Sequence, residues 1–180
     1  MTRKILIVED EGLIRKELVE CLTDEGYDCF EAANGAEGLD ILRCDKEISI
    51  VLTDLLMPVK SGLEMLDTAL TEIDKARDLE FIILTGHGGV KETIDALRLG
   101  VMDLLVKPID PDYLVNAVWR AEQLVLSRLV RRLYEAKLEQ KVQTQAHEFE
   151  LQNEELRESK IDIMKMRDLQ LTKLLPGQAF

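Results

Sequence analysis

Short apolar runs alternate with helix-period segments through the first two-thirds of the chain. Lys4-Ile5-Leu6-Ile7-Val8, Ile48-Ser49-Ile50-Val51-Leu52-Thr53, Glu80-Phe81-Ile82-Ile83-Leu84 and Asp103-Leu104-Leu105-Val106 are compact and rich in branched side chains. Near-continuous apolar character, without strict alternation, predicts strands covered on both faces of a parallel sheet. Strands alternating with helices predict an α/β doubly wound sheet, whose strand carboxyl ends share one rim. Each run stops at chemistry: Glu9-Asp10-Glu11, Asp54, Thr85-Gly86 and Lys107-Pro108. Open α/β sheets bind their ligands at that rim.

A different pattern follows Asp110-Pro111-Asp112, which reads as a helix start with Asp110 as cap and Pro111 at the first helical position. From Asp112 to Leu175 there is neither glycine nor proline, and Pro176-Gly177 then ends the stretch. Fully helical, it would span on the order of 95 Å, too long to stand alone in water. Val142, Phe149, Leu156 and Ile163 recur every seven residues. The companion column is polar: Ala146, Asn153, Lys160 and Arg167 on one choice, Gln145, Gln152, Ser159 and Met166 on the other. Leu126, Leu129, Leu133 and Ala136 keep the three–four spacing out of phase, as a stutter would. The expectation is a marginal parallel homodimer through this helix, against a solvated, partly frayed single helix. The expected organisation is a domain over residues 1–122, an extended coiled-coil helix over 123–175 and a tail over 176–180.

Charge sharpens that division. Residues 1–122 carry 13 Lys/Arg against 26 Asp/Glu, and residues 123–180 carry 10 against 9, for a net charge of −12 over the chain. So acidic a first domain does not bind nucleic acid unaided. The basic cluster Arg128, Arg131, Arg132, Lys137 and Lys141 lacks aromatic interleaving and reads as a solvated or ion-paired face. Cys21, Cys29 and Cys44 are odd in number and lack metal spacing, which suits a reducing compartment. No apolar run is long enough for a membrane span and no leader is visible, so the expected location is cytoplasmic.

The rim residues have a chemical logic. Glu9, Asp10 and Asp54 would repel one another, and a hard divalent cation with oxygen ligands, Mg²⁺ best of all, relieves that repulsion. Lys107 and Thr85 facing the same point would orient the remaining oxygens of a phosphoryl group. Asp54 is then a nucleophile that forms an acyl phosphate. A helix-cap role for Asp54 is weakened because Met57-Pro58 breaks the chain first. A plain Lys107–Asp54 salt bridge with a capping Thr85 is the competing structural reading, and it leaves Glu9 and Asp10 unexplained.

With Glu9-Asp10, Thr53-Asp54-Leu55-Leu56-Met57-Pro58, Thr85 and Lys107-Pro108 in that order, residues 3 to about 122 resemble the receiver domain of two-component response regulators. The resemblance implies a flavodoxin-like, five-stranded (βα)5 fold whose last helix extends into the long coiled coil. It implies that Asp54 accepts a phosphoryl group from a phosphohistidine of a sensor histidine kinase or histidine phosphotransfer protein. Asp10, Asp54 and the backbone carbonyl of Leu56 would hold Mg²⁺, with Glu9 acting through water. Thr85 and Lys107 would meet the phosphoryl oxygens, helped by the N–H groups of Leu55 and Gly86, beside a cis Lys107–Pro108 bond. Beyond phosphotransfer and self-dephosphorylation, no enzyme activity is implied.

Several residues depart from the family pattern. Leu104 stands where a switch aromatic is usual, and Glu9 where aspartate is commoner. Apolar Leu56, two past Asp54, should hinder hydrolytic water and slow self-dephosphorylation. His87 is not placed as a metal ligand. Two alternatives are a phosphotransfer role for His147-Glu148 on the helix and an effector domain following residue 180. An aspartate-based hydrolase of the dehalogenase type is weaker, since Leu56 occupies the place of its second aspartate.

Overall fold

The computed structural model describes residues 3–73, 77–86 and 90–173. Five strands and five helices alternate: β1 (Lys4–Val8), α1 (Gly12–Asp24), β2 (Asp28–Ala32), α2 (Gly35–Cys44), β3 (Ile50–Asp54), α3 (Gly62–Glu72), β4 (Glu80–Thr85), α4 (Val90–Arg98), β5 (Asp103–Val106) and α5 (Pro111–Lys173). The strands form one parallel sheet in the order β2-β1-β3-β4-β5. The fold is the flavodoxin-like doubly wound sheet expected from the alternation.

β1, β3 and β4 read as unbroken apolar runs because both their faces are covered. On one face Ile5, Ile7, Leu52, Ile82, Leu84 and Leu105 pack against Leu18 and Leu22 of α1 and Leu114, Ala117, Val118 and Ala121 of α5. On the other, Leu6, Val8, Val51 and Phe81 meet Leu39 and Leu42 of α2 and Met65, Leu66 and Ala69 of α3. Neighbouring residues on one strand thus serve opposite faces, as the pleat requires. β2, Asp28-Cys29-Phe30-Glu31-Ala32, is the strand that the apolar runs did not announce. It lies at the sheet edge with only Ala32 fully buried, so its sequence needs little apolar density.

Local chemistry fixes the helix starts. Asn34 Oδ1 accepts from the N–H groups of Ala36 and Glu37, while Glu37 accepts from Ala33 N–H. Ser61 and Glu64 form a reciprocal capping box at α3. Asp110 accepts from Asp112 and Tyr113 N–H, with Pro111 opening α5 as expected.

The chain divides into two compact units, Met1–Val130 and Arg131–Phe180, with the boundary inside α5. Within the first, Glu122 accepts from Tyr27 and pairs with Arg3, Arg120 pairs with Asp103, and Arg128 pairs with buried Glu80 at the amino end of β4. In the second unit α5 continues to Lys173, and apart from half-buried Arg132 its described side chains are exposed. Among the described residues, no helix is long and apolar enough to cross a membrane. The tail over 176–180 lies outside the described residues.

Candidate functional site

Parallel pairing brings the carboxyl ends of β1, β3, β4 and β5 to one rim. Val8 pairs with Thr53, Asp54 with Leu84 and Thr85 with Val106, so Glu9, Asp54, Thr85 and Lys107 follow in adjacent rows. Glu9 is fully buried and Asp54 is 9% exposed, whereas Asp10 faces solvent. One carboxylate oxygen from each of these three residues lies within 4.8 Å of the others. Lys107 reaches over them, with Nζ 2.5 Å from Asp54 Oδ2 and 2.7 Å from Glu9 Oε2. The lysine is held from behind, since its N–H donates to Thr85 carbonyl oxygen at 2.8 Å. The Lys107–Pro108 bond is cis.

Glu9 is held rigidly. Its N–H donates to Ala32 carbonyl oxygen at 3.1 Å, its carbonyl accepts from Arg15 at 2.5 Å, and Oε1 accepts from Glu11 N–H at 3.3 Å. Arg15 is itself oriented by Glu31 at 3.2 Å. Oε2 is buried and faces Lys107 Nζ at 2.7 Å, an ion pair that is its one contact with a polar side chain among those described. Burial raises the Glu9 carboxyl above the ordinary range, and the neighbouring lysine offsets this only in part. For Lys107, burial lowers the pKa, but Asp54 and Glu9 outweigh it and the net shift is upward.

Three carboxylates against one ammonium leave a negative, oxygen-rich pocket. That donor set fits a hard divalent cation such as Mg²⁺, which accepts few protein oxygens and retains waters. The same pocket contains the Lys107–Asp54 pair of the competing structural reading, but that pair alone accounts for neither Asp10 nor the burial of a second carboxylate, Glu9, on the same lysine.

One expected donor is placed differently. Leu55 N–H is spent in the β3–β4 ladder, donating to Leu84 carbonyl oxygen at 2.9 Å. Leu56 N–H, one residue on, donates instead to Asp54 Oδ1 at 3.2 Å, so it is the amide aimed at the pocket. The ladder runs one residue past Asp54, so the Leu55 amide that the resemblance implied is already used. Gly86 leaves open space beside the lysine, where a Cβ would come no nearer than 4.0 Å to Lys107 Cδ. Leu104 packs against the small cluster of Leu55, Ile83 and Ala96. His87 lies outside the described residues, and His147 is exposed on α5 in the second unit.

Three further residues shape the site. Gly62 opens α3 so close to the acceptor that a Cβ there would lie 2.1 Å from Asp54 carbonyl oxygen and 2.8 Å from Thr53 Oγ1. A glycine directly after a Ser cap was the visible signal, since the helix start itself has no use for it. Arg15 carried no signal, because its partner is a backbone carbonyl. Val59 is the centre of a tight turn, with φ of 69° and Lys60 N–H donating to Pro58 carbonyl oxygen at 2.8 Å. A β-branched residue in the left-handed region is strained, and this one is 86% exposed.

Residues 5–119 match the family model of the response regulator receiver domain. The two-component response regulator PprB of Pseudomonas aeruginosa is 31% identical over 129 residues, which cover 72% of this chain and 47% of PprB. The chain therefore spans about half the length of that relative. A chemotaxis protein CheY homolog of Campylobacter jejuni is 36% identical over 112 residues, covering 62% of this chain and 85% of that protein. The crystal structure of a response regulator receiver protein from Pseudomonas putida aligns with a TM-score of 0.63 at 32% identity, over 67% of this chain and 98% of that one. Strand order and likeness point the same way, and the chain belongs to the response regulator receiver domain family.

Proposed function

We propose that this chain is a phosphorylation switch: Asp54 accepts a phosphoryl group from the phosphohistidine of a sensor kinase or histidine phosphotransfer protein, and α5 carries the signal onward. The observation that carries the reading is the buried Asp54 carboxylate, 2.5 Å from Lys107 Nζ and clustered with Glu9 and Asp10. In the transfer, a carboxylate oxygen of Asp54 forms a bond to phosphorus as the donor's N–P bond breaks. The imidazole leaves with the electron pair and takes a proton from water. Leu56 N–H, already bonded to Asp54 Oδ1, keeps the carboxylate oriented for attack. Lys107 exchanges its contact with Asp54 for the incoming phosphoryl oxygens, with Thr85 offering a hydroxyl at the neighbouring strand end. Glu9, Asp10 and Asp54, with the Leu56 carbonyl, would hold Mg²⁺, which supplies positive charge against the carboxylates and the phosphoryl oxygens.

Downstream, the organisation that supports the reading best is a receiver over residues 1–122 followed by a coiled-coil helix over 123–175 that pairs with a second copy. A cytoplasmic location fits a phosphohistidine donor. The competing phosphotransfer role for His147 is separated by peptide mapping after phosphorylation. An adduct on the peptide holding Asp54, stable in mild acid and released by hydroxylamine, is expected. An acid-labile adduct on His147, with Asp54 unmodified, would overturn the proposal.

A further inference from the structure

We propose that the helix of the second unit is built to pair with a second copy of itself in parallel and in register, through a seam on Val142, Phe149, Leu156 and Ile163. This rests on the parallel homodimer reading above and adds the register, which that reading left open between two choices. All four side chains are more than half exposed, although they form one seven-residue column. That column allows two registers, and the flanking charges distinguish them.

With Val142, Phe149, Leu156 and Ile163 at the first core position of each heptad, the seam has two unlike flanks. The flank just before each core residue carries Lys141, Glu148, Glu155 and Asp162; the flank four residues after each carries Ala146, Asn153, Lys160 and Arg167. Parallel, in-register pairing places a residue of the first flank against the second-flank residue five positions on in the partner. That sets Glu155 beside the second copy's Lys160, and Asp162 beside its Arg167, twice each by symmetry. Fully overlapped antiparallel pairing would set Glu148 against Glu155 and Lys141 against Asp162, one repulsion against one attraction, and would leave Lys160 and Arg167 facing no acid. In the other register Lys160 and Arg167 would be core residues, and the flanks would hold Gln145, Gln152, Ser159 and Met166 against Gln143, Glu150, Arg157 and Met164, with no acid facing a base. Among the described residues, neither Glu155 nor Lys160 forms an ion pair within its own chain. The second core column is then Gln145, Gln152, Ser159 and Met166, so the dimer is weak and its flank charges weigh heavily.

The test is sedimentation equilibrium of the full chain and of Glu155→Lys, Lys160→Glu and the double variant, with circular dichroism to confirm equal helix content. Glutamate and lysine have nearly equal helix propensity, so the exchanges perturb pairing rather than the single helix. Each single change should raise the dimer dissociation constant roughly tenfold by putting like charges together, and the double change should restore it. Dimers whose affinity is indifferent to all three changes would overturn the register and orientation while leaving the dimer standing. A monomer at every concentration would overturn both.

Discussion

Asp54, the proposed acceptor, is held by neighbours that leave it little room to move. Gly62 is the clearest case: a methyl group 2.1 Å from Asp54 carbonyl oxygen meets backbone, which cannot turn aside. Gly62→Ala should therefore lower stability by about 3 kcal/mol, read as a lower urea midpoint. An unchanged midpoint would show that α3 can shift. Val59 offers the opposite sign. At φ of 69° a β-branched side chain is strained, and Val59→Gly should raise stability by about 1 kcal/mol despite the added chain entropy of glycine. A lower melting temperature for that variant would contradict the strained turn. Leu56 is 58% exposed two residues past Asp54, an apolar side chain that, on the proposed reading, would hinder hydrolytic water. The phosphoryl group on purified protein should persist for minutes or longer, followed by mass spectrometry after removal of the donor. Loss within seconds would remove that role for Leu56.

At the scale of elements, strands buried on both faces were legible and the polar edge strand β2 was not. β1, β3 and β4 announce themselves because nearly every side chain on them is covered or lies at the rim, and β5, the other edge strand, is visible through Leu104-Leu105-Val106 although Val106 is 64% exposed. β2 needs only Ala32 buried, so its residues resemble those of a loop. The pocket was legible residue by residue, since Glu9, Asp10, Asp54 and Lys107 each end or follow a strand. Backbone donors were not legible: whether Leu55 or Leu56 offers its N–H depends on how far the β3–β4 ladder runs. β4 also carries Glu80 at its other end, buried and paired with Arg128. Burial raises this carboxyl above its ordinary range, and Arg128 offsets the shift only in part. An acid whose folded pKa is raised binds its proton more tightly when folded, so stability falls as pH climbs from the ordinary value near 4.5 through the folded one. Glu80→Gln removes that loss, and its urea midpoint relative to the unsubstituted chain should rise between pH 4 and pH 7. A difference that is flat or falls with pH would mean that Arg128 fully compensates the buried charge.

Considered whole, the chain joins an acidic receiver to a helix whose described apolar residues have no cover in their own unit. An uncovered seam on so long a helix favours pairing with a second copy, which is the output proposed above. Light scattering with Mg²⁺ and beryllofluoride, a mimic of the phosphoryl group, should change the mass or the hydrodynamic size. Identical values with and without the mimic would uncouple the helix from the pocket and leave the receiver itself intact. The most direct measurement addresses the acceptor. Incubated with Mg²⁺ and acetyl phosphate, the intact protein should gain ~80 Da, and Asp54→Asn should abolish the gain. No added mass on the unsubstituted chain, or the same gain on the Asn variant, would contradict the account.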